Sequence, residues 1–178
     1  LVDGGALGYD WLSVNTGPAQ DAARSRVAPL RPIEGWLART RQRLAEAPPQ
    51  QVVVIGGGAA GFELALAWRH RLGPAARVTL VSGNSGLLAN YPERVRRLGR
   101  QALAVRAVTL IETRAVSGGP HGVVLADRTE VAADEVVLAT GSVAPSWLDG
   151  CGLHRAPDGG LATGPTLQSV SHPEVFAA

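Results

Sequence analysis

An unbroken apolar stretch, Val52 to Ile55, runs straight into Gly56-Gly57-Gly58-Ala59-Ala60-Gly61, and from Gly58 to Leu72 the chain reads as a helix with a broad apolar face that includes Phe62, Ala65 and Leu66. A buried strand, a glycine turn and a helix in direct succession leave few folds open. The G-x-G-x-x-G spacing alone is weak evidence; its place between strand and helix gives it meaning. In that setting Gly56 permits a tight turn, Gly58 lets the backbone approach a diphosphate, and Gly61 lets the helix pack closely on the strand. Free N–H groups and partial positive charge at the helix start favour an anion by up to about 2 kcal/mol. The expected ligand is a dinucleotide, held by Gly56, Gly57, Gly58, Ala59, Ala60 and Gly61.

Two more apolar stretches, Val78 to Val81 and Val136 to Ala139, are nearly continuous rather than alternating. That pattern suits parallel strands covered on both faces. Gly73-Pro74 closes the first helix, and the turn-rich Ser82-Gly83-Asn84-Ser85-Gly86 follows Val81. Pro92 then opens a helix with Val95, Leu98, Ala102 and Val105 on one face; Arg94, Arg97 and Arg100 lie largely on the other, read as solvated surface. Val108 to Ile111 is the next parallel strand. Between Thr113 and Val131, short β-prone pieces separated by Ser117-Gly118-Gly119-Pro120 and Asp127-Arg128 predict an antiparallel meander in place of a third crossover helix. Upstream, Ile33 to Glu46 reads as a helix and Ala47-Pro48-Pro49 as a boundary. The fold class is α/β: a parallel sheet, helices on one face, and an antiparallel β-meander crossover.

Composition narrows the chemistry. With 46% apolar residues in 178, the chain can bury the core of one domain, or of one domain plus pieces of another. No apolar run is long enough to span a bilayer and no signal-peptide layout opens the sequence, so a soluble cytoplasmic protein is expected. All 17 basic residues are Arg, which excludes Schiff-base lysines, P-loop lysines and Tyr-Lys pairs. A net charge of +2 gives no basis for nucleic acid as a partner. The lone Cys151 forms neither an internal disulfide nor a redox pair by itself. His70, His121, His154 and His172 lack ligand spacing, so no metal is assigned; Ser142 and Ser146 lack a nucleophile elbow, and no catalytic residue is assigned.

An internal similarity sets the organisation. At one constant offset, Leu1, Asp3, Leu7, Asp10, Leu12, Val14, Thr16 and Gly17 fall on Leu125, Asp127, Val131, Asp134, Val136, Leu138, Thr140 and Gly141. Both segments read as a hairpin feeding a buried strand that ends in Thr-Gly. Since the second copy closes a module opened at Val52, the first should close a module opened before Leu1. Together with the absence of Met, this makes an excised fragment the expectation.

Three further positions belong to the candidate site. Dinucleotide enzymes usually carry an acid at the end of the second strand to bind the adenosine ribose 2'-OH. Ser82 stands there, and no Arg follows until Arg94, so the sequence leaves NADH or NADPH open while favouring NADH, because a phosphate without a nearby Arg is poorly compensated. Glu63, two residues past Gly61, falls within the first helical turn, where the dipole favours a carboxylate. Thr140-Gly141 lies at the carboxyl edge of its strand, where ligands of open α/β sheets bind.

These residues resemble a known family. Val-Val-Ile-Gly-Gly-Gly-Ala-Ala-Gly-Phe-Glu-Leu-Ala, the Leu-Ala-Thr-Gly strand with Pro145, and the tail Leu167 to Ala178 are similar to the pyridine nucleotide-disulfide oxidoreductase superfamily. Within it the tail resembles type II NADH dehydrogenase-like flavoproteins, including the kind fused to selenide, water dikinase. The resemblance implies a Rossmann-like three-layer FAD/NAD(P)-binding fold in which an NAD(P)H domain interrupts an FAD domain. Residues 1–47 then end the first FAD half, 48–145 form the NAD(P)H domain, and 146–178 return toward the FAD domain. It implies FAD and NAD(P)H as cofactors of the full-length protein, Glu63 directed toward nicotinamide and flavin, and the Thr140-Gly141 backbone against the nucleotide. The family's N-terminal FAD glycine motif and the Gly-Asp pair after the tail are absent here, so this chain is expected to bind no FAD tightly. Peripheral membrane association of the full-length protein and a homodimer are its further partner expectations.

The expected function is hydride transfer from NAD(P)H to FAD and on to an unidentified acceptor, with this chain alone inactive. The alternatives are a non-catalytic NAD(H)-binding redox sensor and a flavin-free dehydrogenase.

Overall fold

The computed structural model describes residues 4–19, 33–141 and 143–178. Leu1 and Asp3 of the internal similarity, and Ser142, lie outside the described residues. By compactness the described residues form two units, 33–141 and 4–19 with 143–178. In chain order the elements are β1 (Leu12–Val14), α1 (Ile33–Glu46), β2 (Gln51–Ile55), α2 (Ala59–Leu72), β3 (Arg77–Val81), α3 (Glu93–Val105), β4 (Val108–Ile111), β5 (Ala115–Gly119), β6 (Gly122–Leu125), β7 (Glu130–Ala132), β8 (Glu135–Leu138) and β9 (Val175–Ala177).

In the larger unit the sheet order is β4-β3-β2-β8, all parallel. Successive side chains of a strand point to opposite faces, and both faces of β2 are covered. Val52 and Val54 pack with Trp36 of α1, Ala65 and Trp68 of α2, and Leu103 of α3. Val53 and Ile55 pack with Val123 and Leu125 of β6 and with Ala133. That double cover explains the unbroken run of apolar residues: Val52, Val53 and Val54 are each at most 1% exposed. Burial on this scale stabilises by roughly 1.5–3 kcal/mol per side chain. The result is three layers, helices on one face of the parallel sheet and the antiparallel meander β5-β6-β7 on the other. This is the α/β architecture expected from the sequence. Helix α1 packs on this core through Trp36, and Leu37 and Leu44 support it.

Helix α3 departs from its expected orientation. Val95, Leu98 and Val105 are 39, 52 and 75% exposed, whereas Gly99 and Leu103 are buried. The cause lies in the loop after β3, which tucks Leu87 and Leu88 under the helix. A Cβ on Gly99 would stand 3.0 Å from Leu88 Cδ1, so a small residue there sets the contact face. Arg100 is likewise drawn in rather than left fully solvated, pairing with Glu112 at 2.8 Å.

The smaller unit carries β1 paired in parallel with β9, Leu12 opposite Val175 and Val14 opposite Ala177. An antiparallel bridge joins Ala19 to Val143, and a 3-10 turn spans Ser146–Leu148. The hairpin expected ahead of β1 begins on Leu1 and Asp3, outside the described residues. Residues 4–11 carry no strand, and Leu7, Tyr9 and Trp11 are exposed. β1 is itself half-buried rather than buried. In the second copy β6 supplies the ladder partner for β7. Among the described residues no helix is long and apolar enough to cross a membrane.

Candidate functional site

The carboxyl ends of β2, β3 and β8 meet at a cleft of about 250 Å³ lined by Ile55, Gly56, Gly57, Val81, Ser82, Gly83, Arg114, Ala115, Ala139, Thr140 and Gly141. Backbone packing shapes its floor. Gly56 sits at φ +136°, and a Cβ there would lie 2.4 Å from the Ala139 carbonyl oxygen. Its N–H donates to Val81 O at 2.8 Å. On Gly61 a Cβ would fall 1.8 Å from Gly56 O, so the first turn of α2 crosses the glycine turn with no room for a side chain. Gly57 has a reason the sequence did not disclose: a Cβ would stand 2.6 Å from Ser82 O, and its carbonyl accepts the Leu88 N–H at 2.7 Å.

Gly58 is different. It is the N-cap of α2 with φ −78°, a conformation open to any residue, and a Cβ there would meet nothing within 4 Å. No side chain caps this end of the helix, so its first-turn N–H groups, including those of Ala59 and Ala60, lack an intrahelical acceptor. Packing explains Gly56, Gly57 and Gly61; it does not explain Gly58, which faces open space.

Ser82, Thr140 and Gly141 all reach the cleft. The Ser82 N–H donates to Ile111 O at 2.9 Å, while its hydroxyl makes only long contacts, 3.4 Å to Gly83 O and 3.5 Å to Ile111 O. Gly141 bends the chain at φ +43° as it leaves β8. Glu63 falls elsewhere. Because α2 begins at Ala59, Glu63 is its fifth residue, past the first turn and outside the dipole's strongest reach. It is exposed and does not line the cleft.

Arg114 is the residue that sequence reasoning missed. β4 lies beside β3, so the segment leaving β4 emerges next to Ser82 and Gly83. The Arg114 N–H is held by Asn84 Oδ1 at 3.0 Å, and its guanidinium pairs with no acid among the described residues. Strand order, had it been worked out first, would have found it. Glu112, two residues earlier, is neutralised: its carboxylate accepts from Arg100 Nη2 at 2.8 Å and from the Leu87 N–H at 3.2 Å. The Arg100 hydrogen bond, then that of Leu87, hold the Glu112 carboxyl below the usual value against a small opposing effect of burial. Of the expected site residues Gly56, Gly57, Ser82, Thr140 and Gly141 line the cleft, whereas Gly58, Ala59, Ala60 and Gly61 do not, and Arg114 is the charged residue in its lining.

The smaller unit has its own cavity of about 400 Å³ beside the Thr16-Gly17 turn, with Val14, Trp147, Leu161 and Ala177 on its walls. No α-helix belongs to this unit among the described residues. Nor do any three His, Cys, Asp or Glu side chains in the described residues come together to hold a metal ion.

A family model described as pyridine nucleotide-disulphide oxidoreductase matches residues 21–178. Dihydrolipoyl dehydrogenase of Pseudomonas aeruginosa is 33% identical over 119 residues, 64% of this chain and 25% of that protein. Demethylphylloquinone reductase NdbB of Synechocystis sp. is 26% identical over 137 residues, 75% of this chain and 34% of that protein. A solved structure, the NAD-dependent persulfide reductase from A. fulgidus, superposes with a TM-score of 0.77 at 23% identity, covering 96% of this chain and 33% of that one. This last likeness carries the fold. The chain spans a quarter to a third of the length of these two curated relatives.

Proposed function

Since the chain belongs to the pyridine nucleotide-disulphide oxidoreductase family, we propose that its larger unit is the NAD(P)H-binding domain of a flavin-dependent oxidoreductase and that its smaller unit is part of the FAD domain. The observation that carries the reading is Gly58: a bare, conformationally unstrained helix cap facing open space beside three glycines that packing requires. A diphosphate fits there. The N–H groups at the α2 terminus bind it, Ser82 and Gly83 border the adenosine side, and Thr140 and Gly141 border the other side of the cleft. For Glu63, a role toward the nicotinamide rests on the family resemblance alone.

FAD, if bound by the full-length protein, would supply a two-electron acceptor for the nicotinamide's hydride, with the final electron acceptor unidentified. The chain's own residues bind and orient the dinucleotide. The smaller unit's cavity lacks a helix N-terminus among the described residues, so the residues present make no cradle for the FAD diphosphate, and no step is assigned to them there. Within the family, the tail Leu167–Ala178 and the match to demethylphylloquinone reductase support the type II NADH dehydrogenase-like branch.

Two measurements test this. Saturable binding of NADH or NADPH to the chain, together with dye reduction by the full-length protein given FAD, is the expected result. Dinucleotide binding with no dye reduction would leave a redox-sensing module instead, and no binding at all would remove both readings.

A further inference from the structure

Resting on the dinucleotide reading of the cleft, we propose that the site selects the 2'-phosphorylated cofactor, NADPH, and that Arg114 is the residue that determines the choice. Three observations combine. Ser82 occupies the end of β3 where an acid would repel a 2'-phosphate, and its hydroxyl, held only by contacts of 3.4 and 3.5 Å, is free to turn and donate. The Gly83, Asn84 and Ser85 N–H groups have no acceptor among the described residues, while the Gly86 N–H closes the turn onto Gly83 O at 3.1 Å. Arg114 lines the same cleft as Ser82 and Gly83, its backbone N–H donates to Asn84 Oδ1 of that turn at 3.0 Å, and no carboxylate among the described residues pairs with its guanidinium.

A 2'-phosphate needs this combination: a cation with several donors, a hydroxyl and exposed backbone N–H groups. A 2'-hydroxyl needs an acceptor, and no acid lines this end. Glu112, the nearest acid along the chain, is neutralised by Arg100 and engaged by the Leu87 N–H, so it does not cancel the charge of Arg114. The sequence favoured NADH because Arg94 was the first arginine after Ser82. β4 beside β3 supplies the missing cation from the following strand.

The experiment compares dissociation constants of NADPH and NADH, which differ only in the 2'-phosphate, for the wild-type chain and for Arg114→Ala, Arg114→Lys and Ser82→Glu, by calorimetric titration at low and high salt. NADPH should bind about tenfold tighter or more in the wild type, as a charge-assisted contact requires. Arg114→Ala should bring the ratio to within about twofold of one, Arg114→Lys should restore part of it, and Ser82→Glu should invert it. Salt should shrink the wild-type ratio, because the contact is open to solvent. Equal or tighter NADH binding in the wild type, or a ratio untouched by Arg114→Ala, overturns the selectivity while leaving the dinucleotide site standing. If neither nucleotide binds, the dinucleotide reading itself fails.

Discussion

The turn after β2 and the loop after β3 border one cleft, yet they are held by different forces. In the turn, backbone meets backbone for the most part: Gly56 abuts Ala139, Gly61 abuts Gly56, and Gly57 abuts the carbonyl oxygen and Cβ of Ser82. In the loop, side chains from distant positions do the holding. Glu112 accepts the Leu87 N–H, Arg96 Nε donates to Leu87 O at 3.3 Å, and Asn84 accepts the Arg114 N–H. The contrast separates two functions. The turn that would grip a diphosphate is fixed by sterics and tolerates almost no change, while the loop that would read the ribose is fixed by replaceable polar contacts. A scaffold of this kind can alter its nucleotide preference without disturbing its grip.

Gly61→Ala breaks the comparison on the rigid side, with the largest expected effect. Its Cβ would lie 1.8 Å from a backbone oxygen that no rotamer change can move. The loss in unfolding free energy should be about 3 kcal/mol, at the upper end of overpacking costs, read from denaturant or thermal melts. A change under about 0.5 kcal/mol would mean that the corner can open and that sterics do not govern it. Gly58→Val sharpens the same comparison from inside the turn. Nothing lies within 4 Å of that Cβ and φ is −78°, so stability should hold within about 0.5 kcal/mol. Dinucleotide affinity should nevertheless fall about tenfold or more, because the added side chain occupies the approach to the helix N–H groups. Unchanged affinity would detach Gly58 from binding.

The same division governs what could be read in the sequence. Strands β2 and β3 were legible because a sheet covered on both faces leaves no solvated position, so Val52–Ile55 is apolar throughout and Val78–Val81 is apolar but for the buried Thr79. The glycine turn was legible because sterics write it directly in residue type, and the meander because its turns carry Gly, Pro and Asp. The face that α3 buries was not legible, since Val95 and Leu98 make as good a stripe as Leu103; packing of Leu87 and Leu88 against Gly99 decides between them. Arg114 was not legible either, because only the strand order β4-β3 brings it beside Ser82. Nearness to Gly61 assigns Glu63 to the first turn, yet as the fifth residue of a helix that begins at Ala59 it lies past that turn. Contacts within one turn are written locally, whereas contacts between strand ends await the topology.

The smallest expected effect belongs to Glu112→Gln, which probes the polar side of the comparison. In the folded chain the Glu112 carboxyl titrates below its usual value of 4.5, chiefly through the Arg100 hydrogen bond and then through the Leu87 N–H. A depressed folded value means that the carboxylate adds stability at pH above the unfolded value, and that this contribution fades as pH falls through the folded one. Its side chain is 40% exposed, so solvent screens the pair and the contribution stays below about 1 kcal/mol. Melts of wild type and Glu112→Gln should therefore differ slightly at pH 7, and the gap should close as acid protonates the wild-type carboxyl below 4.5. Raising the salt at pH 7 should narrow it too. A gap that survives both acid and salt would place the hold on the loop in the packing of Leu87 and Leu88, and would make the two borders of the cleft alike.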